Sequence, residues 1–192
     1  ILKPRLVAGI PEYDIPSLEP IELGQGLFIQ ATDIKVYGAS NWVLKNLNVV
    51  EYASKYSFKI DLPSLYVDGK YSVDGKILVL PVKGAGLFTG NFTGGAGEVR
   101  VRGTQKVIDG KTYFIVSKLD IKVSVKKGRI DLGSLFAGDR TLANIINETI
   151  NQNFELFSVE LIPLIEKSLS RIFKQTANKI LQRFTMEQLF PL

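Results

Sequence analysis

Residues 141–183 read TLANIINETINQNFELFSVELIPLIEKSLSRIFKQTANKILQR, and this stretch decides the fold. Its apolar side chains recur every three or four residues, which is the period of an amphipathic helix. Asp139 or Thr141 can cap the start, and Pro163 predicts a kink or a short break. At about 1.5 Å per residue, the helix would span roughly 65 Å. The stripe consists of Leu142, Ile146, Ile150, Phe154, Phe157, Leu161, Ile165, Leu169, Ile172, Thr176, Ile180 and Phe184.

This helix is apolar around most of its circumference, because Leu156, Val159, Ile162, Leu164 and Phe173 widen the stripe. A helix that is apolar on most sides has to be surrounded by other parts of the protein. The rest of the chain is therefore expected to wrap it.

The sequence period is two from about residue 27 to residue 131. In residues 55–62 (KYSFKIDL) and 119–126 (LDIKVSVK) polar and apolar side chains alternate. This alternation is typical of antiparallel strands with one buried and one solvated face. Together with turn signals, it predicts a meander of about seven or eight strands. The turn signals are Tyr37-Gly38, Asp68-Gly69, Asp74-Gly75, Asp109-Gly110 and Lys127-Gly128.

Two further patterns refine this architecture. Four prolines between residues 4 and 20 predict a mostly irregular entry segment. Glycines between residues 84 and 97 interrupt a strand pattern and indicate bends or close approach, with simple loops as the alternative for Gly94, Gly95 and Gly97. We therefore predict one α+β domain, residues 1–192, in which a highly curved antiparallel sheet wraps a long C-terminal helix.

Composition narrows the possible functions. The chain has 192 residues, a net charge of +5, no histidine and no cysteine. A Ser-His-Asp triad, imidazole metal sites, thiolate chemistry and disulfides are therefore excluded from these residues. We expect no enzyme activity, no cofactor and no metal. The basic residues are spread along the chain, so we expect no nucleic-acid partner.

Several motifs, in order along nearly the whole chain, resemble those of the insect takeout and juvenile-hormone-binding protein family. They are residues 6–20 (LVAGIPEYDIPSLEP), 37–47 (YGASNWVLKNL), 75–86 (GKILVLPVKGAG), 135–139 (LFAGD), 142–147 (LANIIN), 150–154 (INQNF), 161–163 (LIP) and 184–191 (FTMEQLFP).

The resemblance implies the takeout-like fold of the TULIP superfamily, with an elongated apolar tunnel between helix and sheet. It implies a secreted, extracellular and monomeric carrier that binds a juvenile hormone, a fatty acid or a terpenoid-like lipid without converting it. Family members carry a cysteine pair just upstream of the position of Ile1. The sequence lacks this pair, so we expect that an N-terminal segment is missing and that the closure of the tunnel there differs.

Alternation and the resemblance together select a candidate tunnel wall, although periodicity alone equally allows a filled core. Tyr71, Tyr113 and Thr176 are candidate polar contacts for a ligand, and Asn91 and Asn147 begin glycosylation sequons. The predicted wall consists of Ile34, Val36, Leu47, Val49, Phe58, Ile60, Leu62, Val67, Tyr71, Leu78, Leu80, Phe88, Phe92, Val101, Tyr113, Ile115, Ile121, Phe154, Phe157, Leu161, Ile165 and Phe173.

Two alternatives to a carrier remain open from sequence. A membrane-surface module could use the basic surface and an exposed apolar end to contact anionic lipid or to transfer cargo. A carboxylate-dependent lipid hydrolase is disfavoured, because Asp61 and Asp120 fall on the solvated faces of strands.

Overall fold

The computed structural model describes residues 13–17, 21–23, 26–50, 54–77, 80–133 and 140–189. These residues form eight strands, a 3-10 turn (Ala39–Asn41) and three helices. The strands are β1 (Tyr13–Ser17), β2 (Ile21–Leu23), β3 (Leu27–Tyr37), β4 (Val43–Val50), β5 (Lys55–Ile77), β6 (Leu80–Ile108), β7 (Lys111–Ser124) and β8 (Lys127–Leu132). The helices are α1 (Arg140–Gln152), α2 (Phe154–Leu181) and α3 (Met186–Leu189).

The spine of the sheet is the long antiparallel hairpin of β5 and β6, paired from Lys55 opposite Arg102 to Ile77 opposite Leu80. The edge of β5 that faces away from β6 pairs first with β4 and then with β3. The edge of β6 that faces away from β5 pairs with β8 and then with β7. β1 and β2 pair with the outer side of β3. The sheet therefore has a β4–β7 end and a β3–β8 end.

The curved antiparallel sheet and the long C-terminal helix are confirmed, but the simple meander is wrong. β3 pairs with β5 rather than with β4, and β8 pairs with β6 rather than with β7. Residues 27–132 form six strands, because Asp68-Gly69 and Asp74-Gly75 lie inside β5 and the glycine-rich stretch lies inside β6. Pairing with β6 from Lys55 to Ile77 keeps β5 extended through Asp68-Gly69. Within β6, Gly94 departs from extended geometry, with φ 63°. The entry segment contributes β1 and β2, so its prediction as irregular is wrong there.

The strands bend at irregularities in their pairing. The register shifts between Thr32 and Lys35 in β3 and between Leu44 and Asn46 in β4. In β7, Ser117 is an added residue, because Arg102 pairs with Lys118 and Gly103 pairs with Val116. A bulge adds a residue to one strand and increases its bend and twist. Asp33 occupies the first of these shifts with φ 51°. Curvature thus comes from bulges as well as from glycines.

The sequence predicted a kink or a short break at Pro163, but the helical stretch breaks at Asn153 instead. Asn153 has φ −111° and ψ 26°, and its Nδ2 donates to the Thr149 carbonyl at 2.8 Å. This side-chain bond competes with the regular helical pattern at that turn. Pro163 lies inside α2, on an exposed position where it removes one backbone donor without ending the helix.

The sheet contacts opposite sides of α2 in its two halves. Phe157 and Leu161 pack at the β3–β8 end, whereas Phe173 and Ala177 pack at the β4–β7 end. Phe173 follows Phe157 by sixteen residues, and Ala177 follows Leu161 by the same number. At 100° per residue, sixteen residues place the second side chain about 160° around the helix from the first. This arrangement explains why the helix is apolar on most sides.

Candidate ligand-binding interior

Polar side chains of α1 cover the free edge of β8. Asn147 Oδ1 accepts from Leu132 N at 2.8 Å, and Asn151 Oδ1 accepts from Ile130 N at 2.8 Å. Asn151 Nδ2 also donates to the Ile130 carbonyl at 2.7 Å. An asparagine amide carries a donor and an acceptor as a peptide group does, so it substitutes for a neighbouring strand.

α2 continues this contact along the edge of β7. Glu166 accepts from Val123 N at 2.7 Å and from Lys122 Nζ at 2.7 Å. Ser170 Oγ accepts from Ile121 N at 3.0 Å. The helices therefore close one long side of the interior through hydrogen bonds.

Further along, Asn178 accepts from Val116 N at 2.8 Å and donates to the Val116 carbonyl at 3.0 Å. Sequence reasoning missed all of these edge contacts. Their signal was present, because Glu166, Ser170 and Asn178 are separated by multiples of four residues within a largely apolar helix.

The buried apolar residues of the described chain form three clusters rather than one. Small domains usually show one contiguous core. Partly buried Phe88 packs on both clusters 1 and 3, and partly buried Leu169 on both clusters 2 and 3. Cluster 1 contains Leu27, Tyr71, Val73, Val82, Ile146 and Ile150; cluster 2 contains Val99, Phe114, Val116, Leu119 and Ile121; cluster 3 contains Ile15 and Ile34.

A central wall lies between the clusters and is half-buried. It consists of Ile60, Leu62, Phe92, Phe154 and Ile165, none of which belongs to the three described clusters. The rings of Phe92 and Phe154 lie 6.2 Å apart between centroids, at 42°. The Phe154 ring covers Gly128, where an added Cβ would overlap it. Half-buried apolar side chains retain surface that an apolar ligand can cover.

The interior is open along β4. Every residue of β4 is exposed to solvent, Leu47 to 56% and Val49 to 54%. They stand opposite Phe58 and Tyr56, which pack on cluster 2. Leu47 and Val49 were expected to be enclosed, and that expectation is wrong. β4 is a sheet edge, and α2 packs against β7 on the far side of the sheet.

The other predicted wall residues fall into groups. Ile34, Tyr71 and Ile121 are buried in the clusters. Those that pack on a cluster are Val36, Phe58, Val67, Phe88, Val101, Phe157, Leu161 and Phe173. Tyr113 and Ile115 alternate with the buried Phe114 and Val116, so they lie on the opposite face of β7 and their inward assignment is wrong. The physical reason is Ser117, an added residue in the pairing with β6, which shifts the alternation between this part of β7 and the part that holds Ile121. Leu78 and the side chain of Leu80 lie outside the described residues. Contact of any of these residues with a ligand stays a prediction.

The three candidate polar contacts for a ligand, Tyr71, Tyr113 and Thr176, differ in their surroundings. The Tyr71 hydroxyl donates to the Gly133 carbonyl at 3.3 Å, and burial, followed by the nearby Asp131 charge, raises its pKa to about 12. Tyr71 therefore fastens β5 to the end of β8. Tyr113 forms a backbone bridge with Thr185, and Thr176 is half-buried on α2.

The Tyr71 pKa predicts a loss of stability at alkaline pH. The folded protein keeps the phenol proton between pH 10 and about 12, where the unfolded chain releases it. The free energy of unfolding should therefore fall as pH rises through this window, by up to about 1.4 kcal/mol per pH unit for one proton. Urea titrations of wild type and Tyr71→Phe test this prediction. The variant should lack this contribution, and identical pH profiles would contradict it.

The two sequons lie in different environments. Asn91 is exposed on β6. Asn147 accepts from the Leu132 amide and donates Nδ2 to the Leu132 carbonyl at 3.4 Å. A glycan on that nitrogen would disrupt the edge contact. Glycosylation of Asn91 or Asn147 stays a prediction.

The outer face of the sheet carries the charges. Lys70 pairs with Asp33 at 2.8 Å beside a shallow depression of about 420 Å³, which also contains Lys35 and Asp68. Leu87, Phe88 and Thr89 also line this depression, and no central-wall residue does. Within the described residues, no group of three acidic side chains could hold a metal ion, and no helix has the length and hydropathy needed to cross a membrane.

The family model of haemolymph juvenile hormone binding proteins matches residues 1–191. The chain belongs to this family. A Drosophila melanogaster relative, circadian clock-controlled protein daywake, is 26% identical over 201 residues, covering 95% of this chain and 77% of its own length. A Schistocerca gregaria relative, named as a candidate beta-carotene-binding protein, is 20% identical and covers 99% and 80%, respectively.

A solved structure confirms the fold of this family member. The crystal structure of Epiphyas postvittana Takeout 1 superposes with a TM-score of 0.79 at 22% identity, covering 91% of this chain and 80% of that one. The resemblance drawn from sequence motifs is thus confirmed, and the takeout-like architecture with it.

Proposed function

We propose that this protein is a carrier that holds one elongated hydrophobic molecule between α2 and the sheet. The half-buried central wall around Phe92 and Phe154 is the observation that carries this proposal. Removing apolar surface from water contributes about 25 cal/mol per Å², or about 0.8 kcal/mol per methylene. An alkyl or terpenoid chain along this wall would cover the apolar surface of the central-wall residues that the protein itself leaves exposed.

The family supports a proposal for the ligand class and for the compartment. Its members are named for juvenile hormone binding in haemolymph, and one relative is named for beta-carotene binding. We propose a juvenile hormone, a fatty acid or a terpenoid-like lipid as ligand, and an extracellular site of action. A single domain and a monomeric state remain predictions, tested by limited proteolysis and analytical ultracentrifugation.

Binding without chemical conversion is part of the proposal. Asp61 and Asp120 form ion pairs on the exposed face, with Lys45 at 3.2 Å and with Lys118 at 3.1 Å. The buried carboxylate of Glu166 is committed to the β7 edge. Incubation with a fatty-acid ester should leave the ester intact, and release of free acid above a heat-inactivated control would contradict this part.

Displacement of a fluorescent fatty acid tests the carrier proposal. cis-Parinaric acid should bind saturably, at about one molecule per chain, and palmitic acid or a juvenile hormone should displace it. Folding is checked by circular dichroism on the same sample. Well-folded protein that shows no saturable binding of any of these probes would overturn the proposal.

Phe154→Ala is expected to weaken cis-parinaric acid binding about tenfold, because the variant removes apolar surface from the central wall. Its free energy of unfolding should fall by less than about 1.5 kcal/mol, since the ring is only half-buried. Phe114→Ala is the matched control. Phe114 keeps 3% of its surface and lies in cluster 2, so its truncation should cost about 3–5 kcal/mol of stability.

The control should leave affinity unchanged at a temperature where it is folded. The reverse pattern, with Phe154→Ala destabilising strongly and affinity unaltered, would show that the central wall is ordinary core.

A further inference from the structure

The β6–β7 hairpin extends past the rest of the sheet at the β4–β7 end. Lys55 opposite Arg102 is the last pair that the structure describes between β5 and β6. Residues 104–108 of β6 continue beyond it, paired with β7. The hairpin turns at Asp109 and Gly110, both with positive φ, and residues 104–111 are all exposed.

Two exposed apolar side chains lie beside the Asp109-Gly110 turn at the tip of this hairpin. Val107 keeps 67% and Ile108 keeps 41% of its surface. The end of α2 lies alongside, because Thr185 bridges to Tyr113, and the neighbouring Phe184 keeps 44%. Exposed apolar side chains gathered at one end of a molecule indicate a contact surface.

Basic side chains surround this tip. Lys106 and Lys111 flank it on the two strands, Lys179 lies in the last turn of α2, and Arg183 follows the end of that helix. Residues 102–120 and 179–189 together hold six basic and three acidic side chains. One of the three acids, Asp120, already pairs with Lys118 at 3.1 Å. The end therefore carries a net positive charge beside its apolar side chains.

The open side of the interior reaches the same end. Val50, the last residue of β4, pairs with Lys55, which pairs with Arg102 at the base of the hairpin. Val49 and Val50 keep 54% and 53% of their surface. A surface that contacts the hairpin would thus lie next to the uncovered side of the apolar interior.

We propose that this end docks on an anionic lipid surface, with Val107 and Ile108 entering the headgroup region and Lys106 and Lys111 contacting lipid phosphates. Apolar insertion combined with basic residues is the chemistry that binds such surfaces, and each basic residue near the membrane contributes about a factor of five in affinity. This docking needs no bound ligand, so it can be tested independently of the carrier function.

Co-sedimentation with vesicles tests the docking. The protein should pellet with phosphatidylcholine vesicles containing 30% phosphatidylserine and stay in solution with pure phosphatidylcholine, and 0.5 M NaCl should release it, as expected when charges are screened. The K106Q/K111Q variant should lose about 30-fold in partition coefficient, and V107S/I108S about tenfold or more.

K126Q/K127Q is the matched control. It lowers the net charge equally, but its two lysines lie at the β7–β8 turn, away from the tip. It should partition within about twofold of wild type. L87S removes an apolar side chain that is 65% exposed on β6 and should likewise bind as wild type does.

Equal loss by the hairpin and control variants would overturn the proposal, because binding would then depend on overall charge. Equal binding to neutral vesicles, or no binding to either vesicle, would overturn it as well. Unchanged cis-parinaric acid binding by the hairpin variants would show that they are folded and would separate this result from any failure of the carrier function.

Discussion

Gly97→Phe is expected to reduce cis-parinaric acid binding at least about 100-fold while changing the free energy of unfolding by less than about 1 kcal/mol. Gly97 lies on β6 opposite Ile60, in the stretch between clusters 1 and 2. A Cβ there would meet Ile60 Cγ1 at 3.2 Å, the side chain of a central-wall residue. A phenyl ring has the bulk of several ligand methylenes, each worth about 0.8 kcal/mol, so it would fill the space that the ligand needs.

Gly103→Phe supplies the comparison for this test. An added Cβ at Gly103 would overlap the ring of Phe114, which is buried in cluster 2. Overpacking there should destabilise the protein by about 3 kcal/mol or more. The two variants should therefore differ in urea titrations. If Gly97→Phe destabilises as Gly103→Phe does and leaves probe binding intact, the interior is filled and the carrier proposal fails.

Glu166→Leu is expected to lower the free energy of unfolding by about 2–3 kcal/mol. Glu166 is only 7% exposed, and its carboxylate accepts a hydrogen bond from the Val123 amide at the β7 edge. Leucine fits an apolar interior but accepts no hydrogen bond, so that edge amide loses its partner, and a hydrogen bond to a charged group contributes about 1.5–3 kcal/mol. The ion pair with Lys122 adds little, because the Lys122 side chain is 77% exposed.

Two further variants separate the edge contact from other effects of this substitution. Glu160→Leu makes the same chemical change at an exposed position of α2 and should alter stability by less than about 0.5 kcal/mol. Glu166→Gln keeps an acceptor for Val123 and should retain most of the stability. If Glu166→Gln and Glu166→Leu were equally destabilised, charge rather than edge hydrogen bonding would be the stabilising contribution.

Much of the candidate site was visible in the sequence. Alternation along residues 55–62 and the apolar stripe from Leu142 onward identified the inward faces of β5 and of the helices, because strand and helix periods are local properties of the chain. The same patterns could not separate Ile60, which is half-buried, from Ile121, which is buried in a cluster. That difference depends on how far the opposing element lies, and alternation carries no such distance.

The errors have a common physical origin. Leu47 and Val49 have the alternation of a buried face but stay exposed, because no described element lies over β4. Asp68-Gly69 has turn chemistry but stays extended, because both residues pair with β6, opposite Thr89 and Phe88.

By itself, the sequence determined the strand and helix types from residue 27 onward, the inward faces of β5 and of the helices, the family and the exclusion of histidine and cysteine chemistry, since each of these is written in neighbouring residues or in composition. Only the tertiary structure decided which strands pair, where the helix breaks, that polar side chains of α1 and α2 close the β7–β8 edge, and that the wrap stays open along β4. Those features depend on contacts between residues far apart in the chain, and their energies are set when the elements pack together.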